Sequence, residues 1–308
     1  MKTDEFDSII FDCDGVLIDV TESYDTTINK TISYVLKEIA DITVDAPLTN
    51  EILLKFKSTG GFNDEIDITY SGILCYIAAK KLNKNPAELI FDILNNADDS
   101  GIAYIEDFLN KIDVDISDIK SKLDYPSTDK NDLIHATFDQ LFFGPELYSK
   151  IFQKKSNFSE NGLIENDNVI VTSKLIETLK EKFHDKIAIV TGRGFNAISS
   201  SLKEILNQFN VENSVFLEDE SRDLAKPNPQ SLIRAMKGLD SKNCLYVGDS
   251  MEDIILTEKS SELGFQATFC GIYGSSNLPE MKKNMFIKKN TQFILESINS
   301  LPKALNLV

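Results

Sequence analysis

The 308-residue chain is long enough for one large domain or two unequal ones. Its 49 acidic and 32 basic residues give a net charge of -17, so the surface should repel nucleic acids and anionic membranes, and we expect neither as a partner. The four cysteines lack the close spacing of a zinc or redox motif. A polar, acidic start and the lack of any apolar run of about 18 residues favour a soluble, cytoplasmic protein.

The first predicted element is a short apolar run at residues 8–11, typical of a buried strand. Residues 20–167 follow, rich in helical periodicity and poor in strand patterns. The spacing of their apolar residues predicts helices at 26–39, 51–57, 65–82, 86–95, 102–111 and 132–141. This stretch is therefore predicted to be an all-helical domain.

The carboxy-terminal half alternates short apolar runs with helical stretches. The predicted strands are 187–190, 215–217, 245–247 and 267–269, and the predicted helices are 173–183, 195–209, 229–239 and 250–263. This alternation indicates an α/β fold, a Rossmann-like parallel sheet core interrupted by the helical domain. We place the core at residues 1–19 and 168–308 and the inserted domain at residues 20–167.

The first strand runs into Asp12-Cys13-Asp14-Gly15, which places two carboxylates where open α/β sheets bind their ligands. Asp-x-Asp-Gly alone is equally typical of a simple turn. Three further polar segments border the later strands and the helix between them: Thr191-Gly192-Arg193, Lys226, and Gly248-Asp249 with Asp253. Taken singly, Thr191 could be a helix cap, Lys226 a surface lysine, and Asp249 with Asp253 an acidic first helical turn.

Together, in this order and beside these strands, the four segments resemble the motifs of the haloacid dehalogenase superfamily of phosphatases. Those motifs are an Asp-x-Asp, a Thr or Ser after the second strand, a Lys and a Gly-Asp-x-x-x-Asp. The resemblance covers the predicted core. By position, the helical stretch matches the cap of phosphoglycolate phosphatase-like members, although it is larger than their simple helical caps.

The resemblance implies that Asp12 is a nucleophile that forms an aspartyl-phosphate and that Asp14 is the general acid/base. It also implies that Lys226 neutralises the transferring phosphoryl group. Thr191 and the amide of Gly192 would hold phosphate oxygens, as would the amides of Asp14 and Gly15. An acid at position 14 favours phosphoryl chemistry over carbon–halogen cleavage.

The resemblance further implies a Mg2+ ion as cofactor. Its ligands would be the carboxylate of Asp12, the main-chain carbonyl of Asp14 and the carboxylate of Asp249. Asp253 would be either a ligand through water or a partner of Lys226. Mg2+ prefers such oxygen ligands.

Three further residues are weaker candidates for substrate contact: Lys57, Asn63 and Arg193. Asn63 lies in a Gly-Gly-Phe-Asn turn that also resembles a segment of one branch of the subfamily, but a helix–helix connection with Asn63 or Asp64 as N-cap is the competing interpretation. Arg193 is equally compatible with a surface position at a helix start. His135 has no evident partner in the sequence and is expected to play an ordinary packing or surface role.

The sequence therefore predicts a Mg2+-dependent phosphatase acting on a small phosphorylated metabolite, phosphoglycolate- or sugar-phosphate-like, in a monomer or homodimer. A phosphomutase of the beta-phosphoglucomutase type would use the same core residues. A non-catalytic regulatory or binding protein on the same scaffold is the alternative from another class.

Overall fold

The computed structural model describes residues 6–62, 64–127 and 132–308. The chain forms two compact units, one made of Met1–Thr21 with Asp167–Val308 and the other of Glu22–Asn166. We call them the sheet unit and the helical unit and describe each by itself. The strands are β1 (Ser8–Phe11), β2 (Ile18–Asp19), β3 (Asn168–Val169), β4 (Ile187–Thr191), β5 (Val215–Phe216), β6 (Asn243–Gly248), β7 (Gln266–Ile272) and β8 (Phe293–Leu295).

The sheet unit is built on a six-stranded parallel sheet with the order β5-β4-β1-β6-β7-β8. All four residues of β1 are buried, as expected for a strand in the middle of a parallel sheet. Phe11 at the end of β1 is aligned with Ile189 of β4 and Val247 of β6. The carboxyl ends of these three strands therefore meet at one edge, which brings the motif segments together. Strands β2 and β3 form a separate antiparallel pair.

Thirteen helices are described. They are α1 (Tyr24–Ala40), α2 (Asn50–Thr59), α3 (Glu65–Leu82), α4 (Pro86–Leu94), α5 (Ile102–Lys111), α6 (Ser117–Leu123), α7 (Leu133–Phe152), α8 (Ser173–Phe183), α9 (Phe195–Leu202), α10 (Gln230–Gly238), α11 (Met251–Glu262), α12 (Pro279–Lys288) and α13 (Leu301–Ala304). In the described parts of the chain, no helix combines the length and apolar character that crossing a membrane requires.

The helical unit comprises α1 to α7. Helix α1 packs against α3 and α7 through the stripe of Ile28, Ile32, Val35 and Leu36. Helix α3 is the central element, since most of its residues are buried. The predicted α/β sheet core with an inserted helical segment is thus confirmed as the fold class.

Several elements differ from the prediction. The structure adds β2, β3, β8, α6, α12 and α13. Helix α9 ends at Leu202, after which residues 203–208 form a 3-10 helix. The helix predicted at 132–141 continues to Phe152, interrupted at Gly144, where φ is 68°. A Cβ atom there would lie 2.3 Å from the amide nitrogen of Gly162, so the break allows a close approach of two backbones.

Candidate active site

Asp12 follows β1 directly and is almost completely buried, with 7% of its surface exposed. Its Oδ1 lies 3.0 Å from Nζ of Lys226 and accepts a 2.7 Å hydrogen bond from the amide of Cys13. Burial raises the pKa of Asp12 well above its usual value, Lys226 opposes this shift, and the neighbouring carboxylates add to it. A further positive charge beside Asp12 would therefore favour its ionised form.

Lys226 precedes α10 and is only 4% exposed, so the alternative of a solvated surface lysine is wrong. Its Nζ lies 2.8 Å from Oδ1 of Asp253 and 5.6 Å from the centre of the Tyr246 ring. Burial acts to lower the pKa of Lys226, but Asp12 and Asp253 outweigh it, and the net shift is well above the usual value. The lysine is therefore a fixed positive charge between two carboxylates.

Asp253, in the first turn of α11, is fully buried and has both carboxylate oxygens engaged. Its Oδ1 accepts from Lys226 and, at 3.0 Å, from the hydroxyl of Tyr246. Its Oδ2 accepts from the amides of Asp249 and Ser250 and from the Ser250 hydroxyl, whose oxygen in turn accepts from the amide of Asp253. Burial acts to raise the pKa of Asp253, but Lys226 and these hydrogen bonds lower it overall. These contacts favour the role of lysine partner over that of metal ligand.

Asp249 follows β6 directly. Its Oδ2 lies 2.5 Å from Nζ of Lys282, a residue of α12. Gly15 approaches Asp249 closely, since a Cβ atom on Gly15 would lie 2.0 Å from Oδ2, and its φ of +70° also favours glycine. The amide of Gly15 donates to the carbonyl of Ile18 at 2.8 Å, so it is already engaged, contrary to the expectation that it holds phosphate.

Asp12, Asp249 and Asp253 together fit a divalent cation. Each offers one carboxylate oxygen, and these three atoms lie within 4.8 Å of one another; over the described residues, this is the one group of three or more metal-binding side chains so placed. Carboxylate oxygens suit a hard ion such as Mg2+. Because Asp253 is held by Lys226 and by the start of α11, Asp12 and Asp249 are the better placed ligands.

Arg193 is buried among acidic groups rather than exposed at a helix start, with 2% of its surface exposed. Its Nε lies 2.7 Å from Oδ1 of Asp14, and its two terminal nitrogens bind both oxygens of Asp167 at 2.7 and 3.2 Å. The hydroxyl of Ser201 accepts from Arg193 and donates to Asp167. The guanidinium thus holds Asp14 in place, while substrate contact by Arg193 stays a prediction.

Thr191 is the last residue of β4 and is fully buried. Its hydroxyl oxygen accepts a 3.3 Å hydrogen bond from the amide of Arg193. Gly194, not Thr191, is the N-cap of α9, so the helix-cap alternative for Thr191 is wrong. The half-buried Gly192 follows directly. Phosphate binding by Thr191 and Gly192 stays a prediction.

The first amides of α9 are bound by protein carboxylates. The amide of Gly194 donates to Oε2 of Glu218 at 2.9 Å, and that of Phe195 donates to Oδ2 of Asp219 at 2.7 Å. These carboxylates complement the positive end of the helix. A phosphate bound beside Thr191 would therefore find these two amides already occupied.

Of the other substrate candidates, Asn63 lies outside the described residues. Lys57, near the end of α2, forms a 3.2 Å ion pair with Asp25 of α1. Asp64 is the N-cap of α3 and accepts from the amide of Ile66 at 2.8 Å, which confirms it as the helix-capping residue. Roles of Lys57 and Asn63 in substrate contact stay predictions.

His135 does have a partner, so the expectation of a histidine without one is wrong. Its Nδ1 lies 2.6 Å from Oδ2 of Asp132, the N-cap of α7. Burial acts to lower the pKa of His135, but Asp132 first and then Asp64 and Asp139 raise it overall. This pair belongs to the core of the helical unit.

Sequence reasoning missed Lys282, Asp167 and Ser201. Lys282 lies in α12, which begins with Pro279, and proline is common at the first position of a helix. This pattern could have predicted the helix but not the ion pair with Asp249. Asp167 and Ser201 reach Arg193 from separate parts of the chain. Such long-range pairs leave no spacing pattern in the sequence.

Comparison with known families gives the broader assignment. The family of haloacid dehalogenase-like hydrolases matches residues 6–256. The chain belongs to this family. Its fold is also similar to a phosphatase, Tt82, from Thermococcus thioreducens, with 22% identity, coverage of 90% of this chain and 97% of that chain, and a TM-score of 0.57.

Two other solved structures have a fold similar to that of this chain. One, described as a predicted phosphoglycolate phosphatase from Haemophilus somnus, is 15% identical, with 97% and 98% of the two chains covered and a TM-score of 0.52. The other, a hydrolase from Pseudomonas syringae, is 17% identical, with 98% and 99% covered and a TM-score of 0.50. None of the curated proteins compared with the chain matches it. At these identities the likeness concerns the fold.

Proposed function

We propose that this haloacid dehalogenase-like hydrolase is a Mg2+-dependent phosphatase that removes phosphate from a small metabolite through an aspartyl-phosphate on Asp12. The observation that carries the proposal is the surroundings of Asp12: Nζ of Lys226 lies 3.0 Å from its Oδ1, and Asp249 and Asp253 each place a carboxylate oxygen within 4.8 Å of a carboxylate oxygen of Asp12. A buried carboxylate held by a lysine at the edge of a parallel sheet suits nucleophilic attack on phosphorus. The family assignment and the phosphatase among the structures of similar fold support this choice.

In the first step, Asp12 attacks the phosphorus atom and the bond from phosphorus to the ester oxygen breaks. The structure places both described polar contacts of Asp12 on Oδ1, so Oδ2 is the attacking oxygen in our proposal. Asp14 donates its proton to the departing oxygen, which leaves as an alcohol. Lys226 stabilises the negative charge of the phosphoryl group during the transfer.

In the second step, Asp14 acts as a base. Its carboxylate takes a proton from water, the water oxygen bonds to phosphorus, and the bond to Asp12 breaks. Inorganic phosphate leaves, the Asp12 carboxylate is restored and Asp14 is again protonated. Nε of Arg193, 2.7 Å from Oδ1 of Asp14, orients the carboxyl group, as an ion pair once Asp14 has given up its proton.

Mg2+, bound by the carboxylates of Asp12 and Asp249 and by the main-chain carbonyl of Asp14, would neutralise negative charge on the transferring group. The raised pKa of Asp12 supports a requirement for such a cation, because the nucleophile must be ionised. The substrate class we propose is a small phosphoglycolate- or sugar-phosphate-like molecule.

A phosphomutase would use the same Asp12 and Asp14 but return the phosphoryl group to a substrate hydroxyl. A non-catalytic protein would need neither residue, and the arrangement of Asp12, Lys226 and Asp14 with its Arg193 partner disfavours that class.

The distinguishing experiment is a panel of phosphorylated metabolites with and without Mg2+, in which inorganic phosphate and isomeric sugar phosphates are both measured. We expect Mg2+-dependent release of inorganic phosphate. An isomer without phosphate release would identify a mutase. No turnover of any panel member or of p-nitrophenyl phosphate would support the non-catalytic alternative.

A further inference from the structure

Lys282 is a nearly buried lysine that contacts Asp249, one of the three clustered carboxylates. Its side chain is 9% exposed, and its Nζ lies 2.5 Å from Oδ2 of Asp249. It comes from the second turn of α12, a helix outside the motif segments. Lys226 contacts Asp12 and Asp253 but has no described contact with Asp249. Each lysine thus has its own carboxylates.

The position of Lys282 is fixed by the segment that connects β7 to α12. In this segment the hydroxyl of Ser275 donates to the carbonyl of Gly15 at 2.7 Å, and the amide of Gly274 donates to the carbonyl of Glu296. The first bond attaches the segment directly to the nucleophile loop. Lys282 is therefore held near Asp249 by the backbone around it, not by a flexible surface loop.

The charges of the site show what this lysine does. Asp12, Asp249 and Asp253 would carry three negative charges when ionised, and Lys226 and Lys282 carry two positive ones. Removing charges from water is costly unless an opposite charge lies close, and the ion pair between Lys282 and Asp249 offsets part of that cost for both side chains. A divalent cation bound by Asp249 must share that carboxylate with the ammonium group of Lys282. The two positive charges repel each other.

We propose that Lys282 is a positioning residue that acts as the counter-ion of Asp249 and competes with Mg2+ for it. It holds the carboxylate of Asp249 in place before the metal binds, and it lowers the affinity of the site for Mg2+. This inference rests on the proposed function, because it takes Asp249 to be a metal ligand.

The opposite change in Mg2+ affinity is expected if Lys282 only orients the carboxylate of Asp249 toward the metal, as residues outside the ligand set often do. Loss of such support weakens metal binding, typically about 10- to 100-fold. Competition instead predicts tighter binding when the charge is removed. The direction of the change therefore separates the two roles.

The test is calorimetric titration of the full-length protein with MgCl2, comparing the wild type with Lys282→Met. We expect Lys282→Met to bind Mg2+ about tenfold more tightly. In EDTA the same variant should melt about 2–4 °C below the wild type, because Asp249 has lost its partner, and added Mg2+ should raise its melting temperature more than that of the wild type.

Two variants are matched controls. Lys282→Arg keeps the positive charge and should keep Mg2+ affinity near that of the wild type. Lys283→Met removes a positive charge one residue further along α12, where the ammonium group lies over the Tyr273 ring, and should leave the affinity unchanged. If Lys282→Met does not fold, Lys282→Gln replaces it.

Equal or weaker Mg2+ binding by Lys282→Met than by the wild type would overturn the competition while leaving the proposed phosphatase intact. Failure of every protein to bind Mg2+ would overturn the proposed Mg2+ dependence and this inference with it. The same tightening in Lys283→Met would show a general charge effect and would also overturn the specific role of Lys282.

Discussion

Arg193 and Asp14 form an ion pair in which Nε of the guanidinium lies 2.7 Å from Oδ1 of the carboxylate. The same guanidinium is bound on its other side by both oxygens of Asp167. The side chain of the proposed acid/base is therefore held by a buried charged group. Bidentate contacts of this kind fix the direction of the arginine as well as its position.

We expect Arg193→Met to lower the free energy of unfolding by about 3–5 kcal/mol, because it removes the positive charge that both carboxylate oxygens of the buried Asp167 side chain bind. Urea denaturation measures the change. Arg234→Met is the matched control, since Arg234 pairs with Glu220 at the surface and its loss should cost about 0–1 kcal/mol. Equal losses in the two variants would contradict a structural role for the buried pair.

We expect Asp14→Asn to reduce turnover of an alkyl phosphate by about 10²- to 10⁴-fold, the range of a lost general acid. With p-nitrophenyl phosphate the first step should be much less affected, because nitrophenolate leaves without a proton. Stopped-flow absorbance should therefore show a burst of nitrophenolate followed by slow turnover. Equal slowing of the first step for both substrates would argue against Asp14 as the proton donor.

The sequence was sufficient to predict the strands that the motif residues follow. Strands β1, β4 and β6 are continuous apolar runs that end in charged or small residues, so pattern and position agree. Helices α3, α5 and α8 were predicted with the bounds that the structure has. These segments have strong periodicity and clear capping residues, such as Asp64 before α3 and Thr172 before α8.

Other elements have weak patterns for physical reasons. Strand β8 has only three half-buried residues, and α6 has seven residues in an acidic stretch. The apolar periodicity of α7 is broken at Gly144, whose conformation depends on the approach of Gly162. The ion pairs of Lys282 and Arg193 join distant parts of the chain, so no local rule predicts them.

The pair of His135 and Asp132 should make stability depend on pH. The pKa of His135 is raised above 6.5 in the folded protein, so protonation stabilises the fold. This contribution is complete below pH 6.5 and is lost as pH rises through the raised value. The pKa of Asp132 is lowered below 3.8, so its own contribution is retained at and above neutral pH.

We therefore expect the melting temperature of the wild type to fall as pH rises from 6 to 9, by about 2–4 °C for each kcal/mol lost. His135→Gln should show a smaller fall over the same range. His184→Gln, which changes the exposed second histidine, is the control and should follow the wild type. A fall of the same size in all three proteins would contradict the role of His135.

The central claim is that Asp12 carries the phosphoryl group. The most direct measurement uses a phosphate ester that the protein hydrolyses in the presence of Mg2+. The reaction is quenched rapidly with acid, and the peptide that contains Asp12 is analysed by mass spectrometry. We predict phosphorylation of Asp12 in the wild type and neither phosphorylation nor phosphate release in a folded Asp12→Asn variant. Phosphate release by Asp12→Asn at a rate near that of the wild type would contradict the account.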